Sequence, residues 1–431
     1  MSVQLAKDSL SKQPVNFDPA QLDFHTAVIA QSGSGKSFML MRLIEELALK
    51  TKARIIVLDS NSDFIRMQTP NPEVWAQRGL SDWFPSSDTL PRFKSNWKKV
   101  RQRGIAILTN RNLTGATEIV FDCGGLNLAE MLSLLDIDPR ESPELSTCVE
   151  VAREIARQRW PHPEEPFDYQ HFQAVAQQVA ALIKKGVGRN KDEFSSTLDS
   201  LHAGFGAELA IRFLERVKRA EAFEIWRSRG DGLADVRRVL SGPAQLVVVD
   251  LLSLNSDHER DVVASAILTE LWEQGKLRYW EAIRDYPRSD RRVVTFIVVD
   301  EAHNLAPLGG PPRGPADPAS QVVRIATEGR KFGLRLIVAS QRPRRLDSNV
   351  LSQCDNLILM RSSNASDVRH VCESFGLEEH RNVPEARSLS SGDMILAGPL
   401  SVGHRTLHCI PPRTVPGARA IRRRNWTAPY Q

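Results

Sequence analysis

A glycine-rich loop near the amino terminus has the residue types that bind phosphate groups. It follows the apolar run Thr26–Ala30 and precedes the helical run Phe38–Leu49, the strand, loop and helix order of a P-loop. Its glycines let backbone N–H groups turn towards phosphate oxygens, and the start of the helix adds partial positive charge. The residues predicted to bind a nucleotide are Ser32, Gly33, Ser34, Gly35, Lys36 and Ser37.

Two side chains at the end of this loop have separate roles in that chemistry. The Lys36 ammonium can reach the β- and γ-phosphates of ATP, and the Ser37 hydroxyl can bind Mg²⁺. Ala30 occupies the position of the usual first glycine, a mild change because the glycines nearest the phosphates are kept. We therefore expect ATP and Mg²⁺ as ligands.

Hydrolysis of a bound nucleotide needs carboxylates from a second strand, and the sequence has two candidates. One apolar run ends in Asp250 alone, whereas another ends in both Asp300 and Glu301. We expect Asp300 to bind Mg²⁺ together with Ser37, and Glu301 to polarise the attacking water as the catalytic base. Asp250 is interpreted as a structural acid at a neighbouring strand end.

The letters from Asp300 to His303 spell DEAH, which raises a superfamily 2 helicase as a rival interpretation. In those enzymes the lysine and the aspartate lie much closer in the chain than the 264 residues that separate Lys36 from Asp300. The QxxGRxGR segment of those helicases is also missing. We therefore treat the four letters as a coincidence.

Composition excludes several classes of protein. Of the 431 residues, 41% are hydrophobic and 25% are charged, as in ordinary globular domains. No apolar run reaches the length of a membrane span, no secretion signal opens the chain, and the five cysteines form no CxxC pair. We expect a cytoplasmic protein with no membrane partner, no disulfide framework and no zinc finger.

The net charge of +5 is concentrated at the carboxyl end. No acidic residue follows Met394, so this segment suits a polyanion or an acidic partner, but a solvated tail remains an alternative. The basic residues of this segment are Arg405, Arg413, Arg419, Arg422, Arg423 and Arg424.

Short apolar runs rich in β-branched residues predict an α/β fold with a mostly parallel sheet, buried on both faces. Residues 126–240 instead have helical periodicity, with one helix that starts at Pro143 and stops at Pro161. The predicted strands are Thr26–Ala30, Arg54–Leu58, Ile105–Leu108, Glu118–Phe121, Gln245–Val249, Val293–Val299, Leu334–Ala339 and Asn356–Met360.

One block of sequence resembles the HerA branch of the HerA/FtsK motor ATPases. It reads EGRKFG from Glu328 to Gly333, followed by an apolar strand and then SQRP from Ser340 to Pro343. Residues 59–64 are similar to the family's DPHGEY segment, with Asp63 in place of its glutamate. The segments that resemble its carboxyl-terminal half are Leu351–Asn356, Arg361–Asp367 and Ser391–Gly398.

The resemblance implies a RecA-like P-loop core that assembles as a homo-oligomer, a hexameric ring with ATP sites between subunits. Such rings move on double-stranded DNA threaded through their centre. The family's γ-phosphate sensor corresponds to Gln341, and its arginine that acts on the neighbouring subunit corresponds to Arg330, with Arg361 as a second candidate. A guanidinium fork is well suited to stabilise phosphoryl oxygens across an interface.

The resemblance also divides the chain. We predict an amino-terminal segment at 1–23, a RecA-like HerA ATPase core at 24–125 and 241–412, a helical insertion at 126–240, and a basic carboxyl-terminal tail at 413–431. Family members usually carry an N-terminal β-barrel, and only a short segment precedes the P-loop strand here. We expect the barrel to be absent and a partner protein to take its place.

Three functions follow from these residues. The first is an ATP-driven translocase on double-stranded DNA, working with a nuclease or other effector in DNA end processing or antiphage defence. The second is an ATPase scaffold that regulates a defence effector, such as a nuclease or a sirtuin-like NADase. The third is an ATPase related to type IV secretion and conjugation motors, which failure to bind DNA would favour.

Overall fold

One 11-stranded sheet runs through the part of the chain that the structure describes. The structure, a computed structural model, describes residues 2–76, 84, 88–161, 167–187, 193–223, 225–226, 236–284, 292–309, 317–401, 403 and 405–417. The strands are β1 Val3–Asp8, β2 Pro14–Phe17, β3 Thr26–Ile29, β4 Arg54–Asp59, β5 Ile105–Leu108, β6 Leu246–Asp250, β7 Thr295–Val299, β8 Leu334–Ser340, β9 Asn356–Met360, β10 Asp393–Ala397 and β11 Leu407–Cys409.

The strand order is β2-β1-β11-β10-β9-β3-β8-β7-β4-β6-β5. From β9 to β5 every neighbouring pair is parallel, so the carboxyl ends of these strands lie at one edge of the sheet. From β2 to β9 the pairs are antiparallel. The predicted mostly parallel α/β sheet is confirmed.

Apolar side chains of the central strands alternate between two cores, one on each face of the sheet. In β3, Ala27 and Ile29 belong to one core, whereas Val28 belongs to the other. Strands buried on both faces need apolar residues at successive positions, which is why these runs were apolar throughout rather than alternating.

Helices cover both faces. Helices α1 and α3 contribute to the core that contains Val28, and α9, α11 and α13 contribute to the other. The helices are α1 Lys36–Lys50, α2 Glu73–Ala76, α3 Leu90–Arg103, α4 Leu128–Leu134, α5 Pro143–Arg159, α6 Tyr169–Lys185, α7 Ser195–Ala220, α8 Val236–Ser241, α9 Asp257–Arg284, α10 Ala302–Leu305, α11 Pro318–Glu328, α12 Ser348–Ser352, α13 Ala365–Phe375 and α14 Glu379–Ser388.

Helices α4 to α7 occupy the stretch that the sequence predicted to be helical. Helix α5 starts at Pro143, as predicted, and it ends at Arg159, before Pro161. Apolar residues of these helices, such as Val149 and Phe172, belong to the same buried core as Ile29 and Leu58 of the sheet. The helical stretch therefore shares the apolar core that covers one face of the sheet.

One predicted strand does not form, and the structure has strands that the sequence did not predict. Residues Glu118–Phe121 form no strand, because Thr117 and Phe121 make only isolated bridges and the Ile119 amide bonds to the Asn110 side chain. Strands β1 and β2, in the segment predicted to precede the core, instead extend the sheet at its antiparallel end. Their short sequences carry polar residues such as Gln4 and Lys7, so they gave no apolar signal.

The carboxyl-terminal segment is only partly described. Arg413 is 5% exposed and bonds to Glu45, Glu46 and Asp88, so this arginine of the predicted basic tail is not available to a polyanion. Burying a guanidinium requires such acidic partners. Arg419 and Arg422–Arg424 lie outside the described residues.

The described helices vary in length and apolar character. None of them, α9 included, combines enough of both to cross a bilayer.

Candidate active site

The phosphate-binding loop connects β3 to α1 at the carboxyl edge of the sheet. Gly33 and Gly35 have φ angles of 73° and 99°, which favour glycine. Ala30 does not have a positive φ angle, and its amide donates to the Ser340 carbonyl at 3.2 Å. This position therefore continues the pairing of β3 with β8 and does not require glycine. The Gly392 amide donates to the Ser34 carbonyl at 2.8 Å, which braces the loop from the turn before β10.

Lys36 joins the loop to the two acids predicted to act with it. Its Nζ lies 2.6 Å from Asp300 Oδ1 and 2.5 Å from Glu301 Oε1, and the side chain is 6% exposed. Asp300 and Glu301 follow β7, which is separated from β3 by β8 alone. Residues 264 apart in the chain therefore meet because parallel strands end at the same edge.

The charges of this cluster depend on each other. Burial lowers the pKa of Lys36, but Asp300 and Glu301 outweigh burial and hold that pKa above its ordinary value. Burial raises the pKa of Glu301, but Lys36 and the Gln341 amide outweigh burial and hold it below its usual range. The pKa of Asp300 is raised, because burial and the neighbouring carboxylates exceed the effect of Lys36.

Glu301 has a strained backbone. Its φ and ψ are both 48°, in the left-handed region that side chains other than glycine rarely adopt. Its Oε1 accepts a hydrogen bond from Gln341 Nε2 at the end of β8. Its Oε2 is buried without a hydrogen-bond partner among the described residues and lies 3.5 Å from His303 Nδ1. Such strain concentrates at active sites, where one geometry is held by its surroundings.

His303 lies beside the Glu301 carboxylate. In the structure its Nδ1 is 3.1 Å from Ser340 Oγ, at the end of β8. Burial is the main reason that the pKa of His303 is lowered, so the neutral imidazole is favoured beside Glu301. Its position two residues after Glu301 was the signal in the sequence that could have placed His303 at the site.

A loop after β4, residues 60–64, connects the strand ends to one another. Ser60 Oγ donates to the Asp300 carbonyl at 2.8 Å, and Asn61 Nδ2 donates to Asp300 Oδ2 at 2.9 Å. Ser62 Oγ donates to Asp250 Oδ1 at 2.6 Å, which agrees with the structural role expected of Asp250. This loop was noticed in the sequence through the family resemblance alone, and no role was assigned to its side chains.

Asp63 in the same loop touches the phosphate-binding loop directly. Its Oδ2 accepts a hydrogen bond from Ser37 Oγ at 2.5 Å. When a serine hydroxyl donates its proton, the oxygen lone pairs remain available for a metal ion. Sequence reasoning did not assign Asp63 to the site. The signal that could have done so was its position, where the family has a glutamate.

The residues present fit a divalent cation that is shared with a nucleotide. The Ser37 hydroxyl and the Asp300 and Asp63 carboxylates provide oxygen ligands or partners, which Mg²⁺ prefers. Among the described residues, no group of three or more His, Cys, Asp or Glu side chains could hold a metal ion alone. Mg²⁺ typically takes few protein ligands and completes its shell with phosphates and water.

A cavity of about 600 Å³ lies beside this cluster. Ser32, at the exposed start of the phosphate-binding loop, lines the cavity together with Gln341 and Arg342. Asn364 and Asp367, before and in α13, complete its polar wall. Of the predicted phosphate-binding residues, Ser32 lines this cavity, whose size suits a small polar ligand.

Arg330 is not part of this cluster. It lies before β8, at the amino edge of the sheet, whereas Gln341 follows the same 7-residue strand. At about 3.3 Å per residue, the strand places the two about 20 Å apart. The Arg330 side chain is 45% exposed, 3.3 Å from Asp355 and 4.5 Å from the centre of the Phe24 ring.

Arg361, the second arginine candidate, lies at the other edge. It follows β9, and its carbonyl accepts a hydrogen bond from the Gln31 amide at 3.0 Å. Arg361 is therefore next to the phosphate-binding loop of its own chain, unlike Arg330.

Known proteins resemble the chain in sequence. The sequence model of a family described as helicase HerA, central domain, matches residues 5–271, more than half of the chain. A DNA double-strand break repair helicase HerA from Sulfolobus acidocaldarius is 43% identical over 319 aligned residues, which cover 68% of this chain and 59% of that protein. The chain spans less than two thirds of the length of the curated relatives that it matches.

Two solved structures resemble the fold. The bacterial conjugative coupling protein TrwBdeltaN70 has a TM-score of 0.52 and 12% identity, over 95% of this chain and 88% of its own. VirB4 of Thermoanaerobacter pseudethanolicus has a TM-score of 0.52 and 15% identity, over 95% and 96%. At these identities the likeness shows the fold alone, but the sequence match is specific: the chain belongs to the HerA helicase central-domain family.

Proposed function

We propose that the protein is an ATP-hydrolysing ring motor that binds and translocates double-stranded DNA. The observation that carries this proposal is the buried contact of Lys36 with Asp300 and Glu301, together with Gln341, at one edge of a HerA-family sheet. A phosphate-binding lysine, a metal-binding acid, a base and a sensor are the parts that ATP hydrolysis requires.

The contacts of Lys36 imply an exchange of partners during the cycle. The ammonium bonds to both acids here, and phosphate oxygens of ATP would compete for it. Once Lys36 turns to the phosphates, Glu301 loses this cationic partner and can accept a proton from the attacking water. Gln341, already bonded to Glu301, can report the presence of the terminal phosphate to β8.

Ser37 and Asp300 are the residues proposed to hold Mg²⁺. When bound with the nucleotide, the ion neutralises charge on the phosphate oxygens. Asn61 keeps the Asp300 carboxylate in place through its 2.9 Å bond to Oδ2, and Asp63 orients the Ser37 hydroxyl.

Arg330 supports a ring with nucleotide sites between subunits. Its distance of about 20 Å from Gln341 along β8 prevents it from serving the site of its own chain. A half-exposed arginine can instead act on the next copy if subunits associate head to tail, an arrangement that closes into rings. We propose a homo-oligomer, a hexamer, in which Arg330 stabilises the transition state in the neighbouring site.

The proposed track is double-stranded DNA, because the matched relatives are named DNA double-strand break repair helicases. A motor that ignores sequence should contact phosphates rather than bases. A nuclease or another effector is the proposed partner, in DNA end processing or in antiphage defence, and the cytoplasm is the proposed location.

The proposal is tested by the ATPase rate of the purified protein with and without linear double-stranded DNA. The expected result is stimulation by DNA, and the Glu301→Gln variant serves as the inactive control. Measurable turnover that DNA leaves unchanged would contradict the translocase and would favour a partner-gated scaffold or a secretion-type ATPase.

A further inference from the structure

The last described stretch of the chain, Ile410–Gly417, lies between helix α1 and the segment after β4; we call it the strap. Three backbone hydrogen bonds join the strap to that segment. The Asn71 amide donates to the Arg413 carbonyl at 2.7 Å, and the Val415 amide donates to the Thr69 carbonyl at 2.9 Å. The third bond runs from the Gly417 amide to the Asp63 carbonyl at 2.8 Å.

One end of the strap is anchored to α1 by buried charges. Arg413 Nη2 lies 2.5 Å from Glu46 Oε1, and Arg413 Nε lies 3.1 Å from Glu45 Oε2. Asp88 accepts a third bond from Arg413 Nη1 at 3.0 Å. Helix α1 begins at Lys36, so the anchor joins the strap to the same helix that carries the phosphate-binding residues.

The Glu45 carboxylate accepts several hydrogen bonds from the strap. Its side chain is buried, and Oε1 accepts the amides of Arg413 and Thr414 and the hydroxyl of Thr414, each within 2.8 Å. A buried carboxylate is stable only when its lone pairs are satisfied in this way. The position of the strap along α1 is therefore defined.

The other end of the strap fits closely against the 60–64 loop. A Cβ atom added at Gly417 would lie 1.8 Å from the Ser62 carbonyl oxygen, so only glycine fits there. The adjacent residue, Asp63, has its carbonyl bonded to Gly417 and its carboxylate bonded to Ser37. A continuous set of contacts therefore leads from Gly417 through Asp63 to the Ser37 hydroxyl.

We propose that the strap is a positioning element for the metal side of the nucleotide site, with Gly417 and Arg413 as positioning residues that act through Asp63 on Ser37. This inference rests on the proposed function. Partners that orient a metal ligand commonly change metal affinity by about 10- to 100-fold when they are lost. The strap should therefore strengthen ATP binding in the presence of Mg²⁺ and leave binding without metal unchanged.

The test measures ATP affinity of the full chain in Mg²⁺ and in EDTA. For Gly417→Ala we expect about tenfold weaker binding in Mg²⁺ and unchanged binding in EDTA. Arg405→Gln, at an exposed arginine before the strap, is the matched control and should bind like the wild type in both conditions. Equal affinity of Gly417→Ala and wild type in Mg²⁺, or an equal loss in both conditions, would overturn the proposal.

The route through Asp63 has its own test. Asp63→Asn should lose at least as much Mg²⁺-dependent affinity as Gly417→Ala, and the double variant should lose no more than Asp63→Asn alone. Additive losses would show that the strap acts on the site by another route. Arg413→Lys, which keeps a cation beside Glu45 and Glu46, should bind better in Mg²⁺ than Arg413→Gln.

Hydrogen exchange without any nucleotide separates this inference from the proposed function. The amides of Asp63 and Phe64 both donate to the Asp59 carboxylate, at 3.0 and 2.8 Å. Gly417→Ala should speed their exchange, whereas Arg405→Gln should not. If the wild type fails to bind ATP, the proposed function falls, and this exchange measurement still decides whether the strap holds the loop.

Discussion

The two edges of the parallel sheet differ in how deeply their charged side chains are buried. At the carboxyl edge, Lys36, Asp300 and Glu301 are each at most 7% exposed and bond to one another. At the amino edge, Arg330 is 45% exposed, and its ionic partner Asp355 is 43% exposed. The charged groups at the carboxyl edge are buried and paired within one chain, whereas Arg330 at the amino edge is partly exposed.

This difference matches the division of roles in the proposed mechanism. Groups that must meet in a fixed geometry come from neighbouring strand ends, where burial and short hydrogen bonds restrict them. An arginine that acts on another chain must remain exposed until the two chains associate. Surface ion pairs of this kind contribute little stability, so Arg330 can leave Asp355 for a phosphoryl group at small cost.

The largest effect is expected at the amino edge. Arg330→Ala should lower the ATPase rate of the proposed ring by about 10³- to 10⁵-fold while ATP affinity changes little, because we propose that this arginine contacts only the transition state in the neighbouring site. Lys331→Ala, which removes the adjacent cation, is the control and should stay within a few-fold of wild type.

Mixing tests whether this arginine acts between chains. Rings that contain both Arg330→Ala and Glu301→Gln subunits should regain activity, since some sites combine an intact glutamate with an intact neighbouring arginine. Normal ATPase activity of Arg330→Ala alone, or no recovery on mixing, would contradict the proposed action of Arg330 on the neighbouring subunit.

The next effect is expected at the carboxyl edge. Glu301→Gln should keep ATP bound but lower turnover by about 10²- to 10⁴-fold, the usual contribution of a general base. Glu328→Gln replaces an exposed glutamate at the amino edge and should have normal turnover. A Glu301→Gln rate close to wild type would remove this residue from the mechanism.

A pH effect on stability is expected at the amino edge. Burial first, then Arg335 and Arg330, lower the pKa of His25 to about 4. His25 Nδ1 accepts the Leu336 amide at 2.8 Å, which requires the neutral ring. The neutral His25 ring therefore stabilises the folded state fully above pH 6.5, and this stabilisation is lost as the pH falls towards 4. The loss reaches about 3 kcal/mol, at about 1.4 kcal/mol per unit of pKa shift.

Urea unfolding at several pH values measures this effect. His25→Gln keeps an acceptor for the Leu336 amide, so the stability difference from wild type should shrink or reverse as pH falls from 6.5 to 4. His380→Gln, at an exposed histidine, is the control. A difference between wild type and His25→Gln that is constant with pH would contradict the assignment.

The smallest of these effects concerns ground-state binding. Lys36→Ala should weaken ATP binding about 10- to 100-fold, since a hydrogen bond to a charged group contributes about 1.5–3 kcal/mol. Lys50→Ala, at the far end of α1, is the matched control. Equal affinity of these two variants, measured by titration calorimetry, would show that Lys36 does not contact the phosphates.

Much of the site could be predicted because its signals are local. The loop that ends in Lys36 and Ser37 lies between a strand and a helix, and Asp300 and Glu301 directly end another strand, so residue types and spacing were sufficient. His303 and Asp63 were missed, because their importance depends on Glu301 and Ser37, which lie on other elements. The roles of all these residues in catalysis stay predictions.

The fold divides in the same way. Strands such as β4 and β6 were predicted because strands buried on both faces must be apolar at successive positions. The strands β1 and β11 were missed, because short antiparallel strands at the end of a sheet tolerate polar residues. The domain boundaries, including the start of the tail at Arg413, stay predictions.

By itself the sequence determined the phosphate-binding loop, the acidic strand end, the mostly parallel sheet and the family. Each of these depends on neighbours within a few residues or on a periodicity that burial imposes. Only the tertiary structure decided that Asp63 reaches Ser37, that Arg413 lies buried against α1, and that Arg330 faces away from its own site. Those facts depend on strand order and packing between distant segments, which no local pattern of residues records.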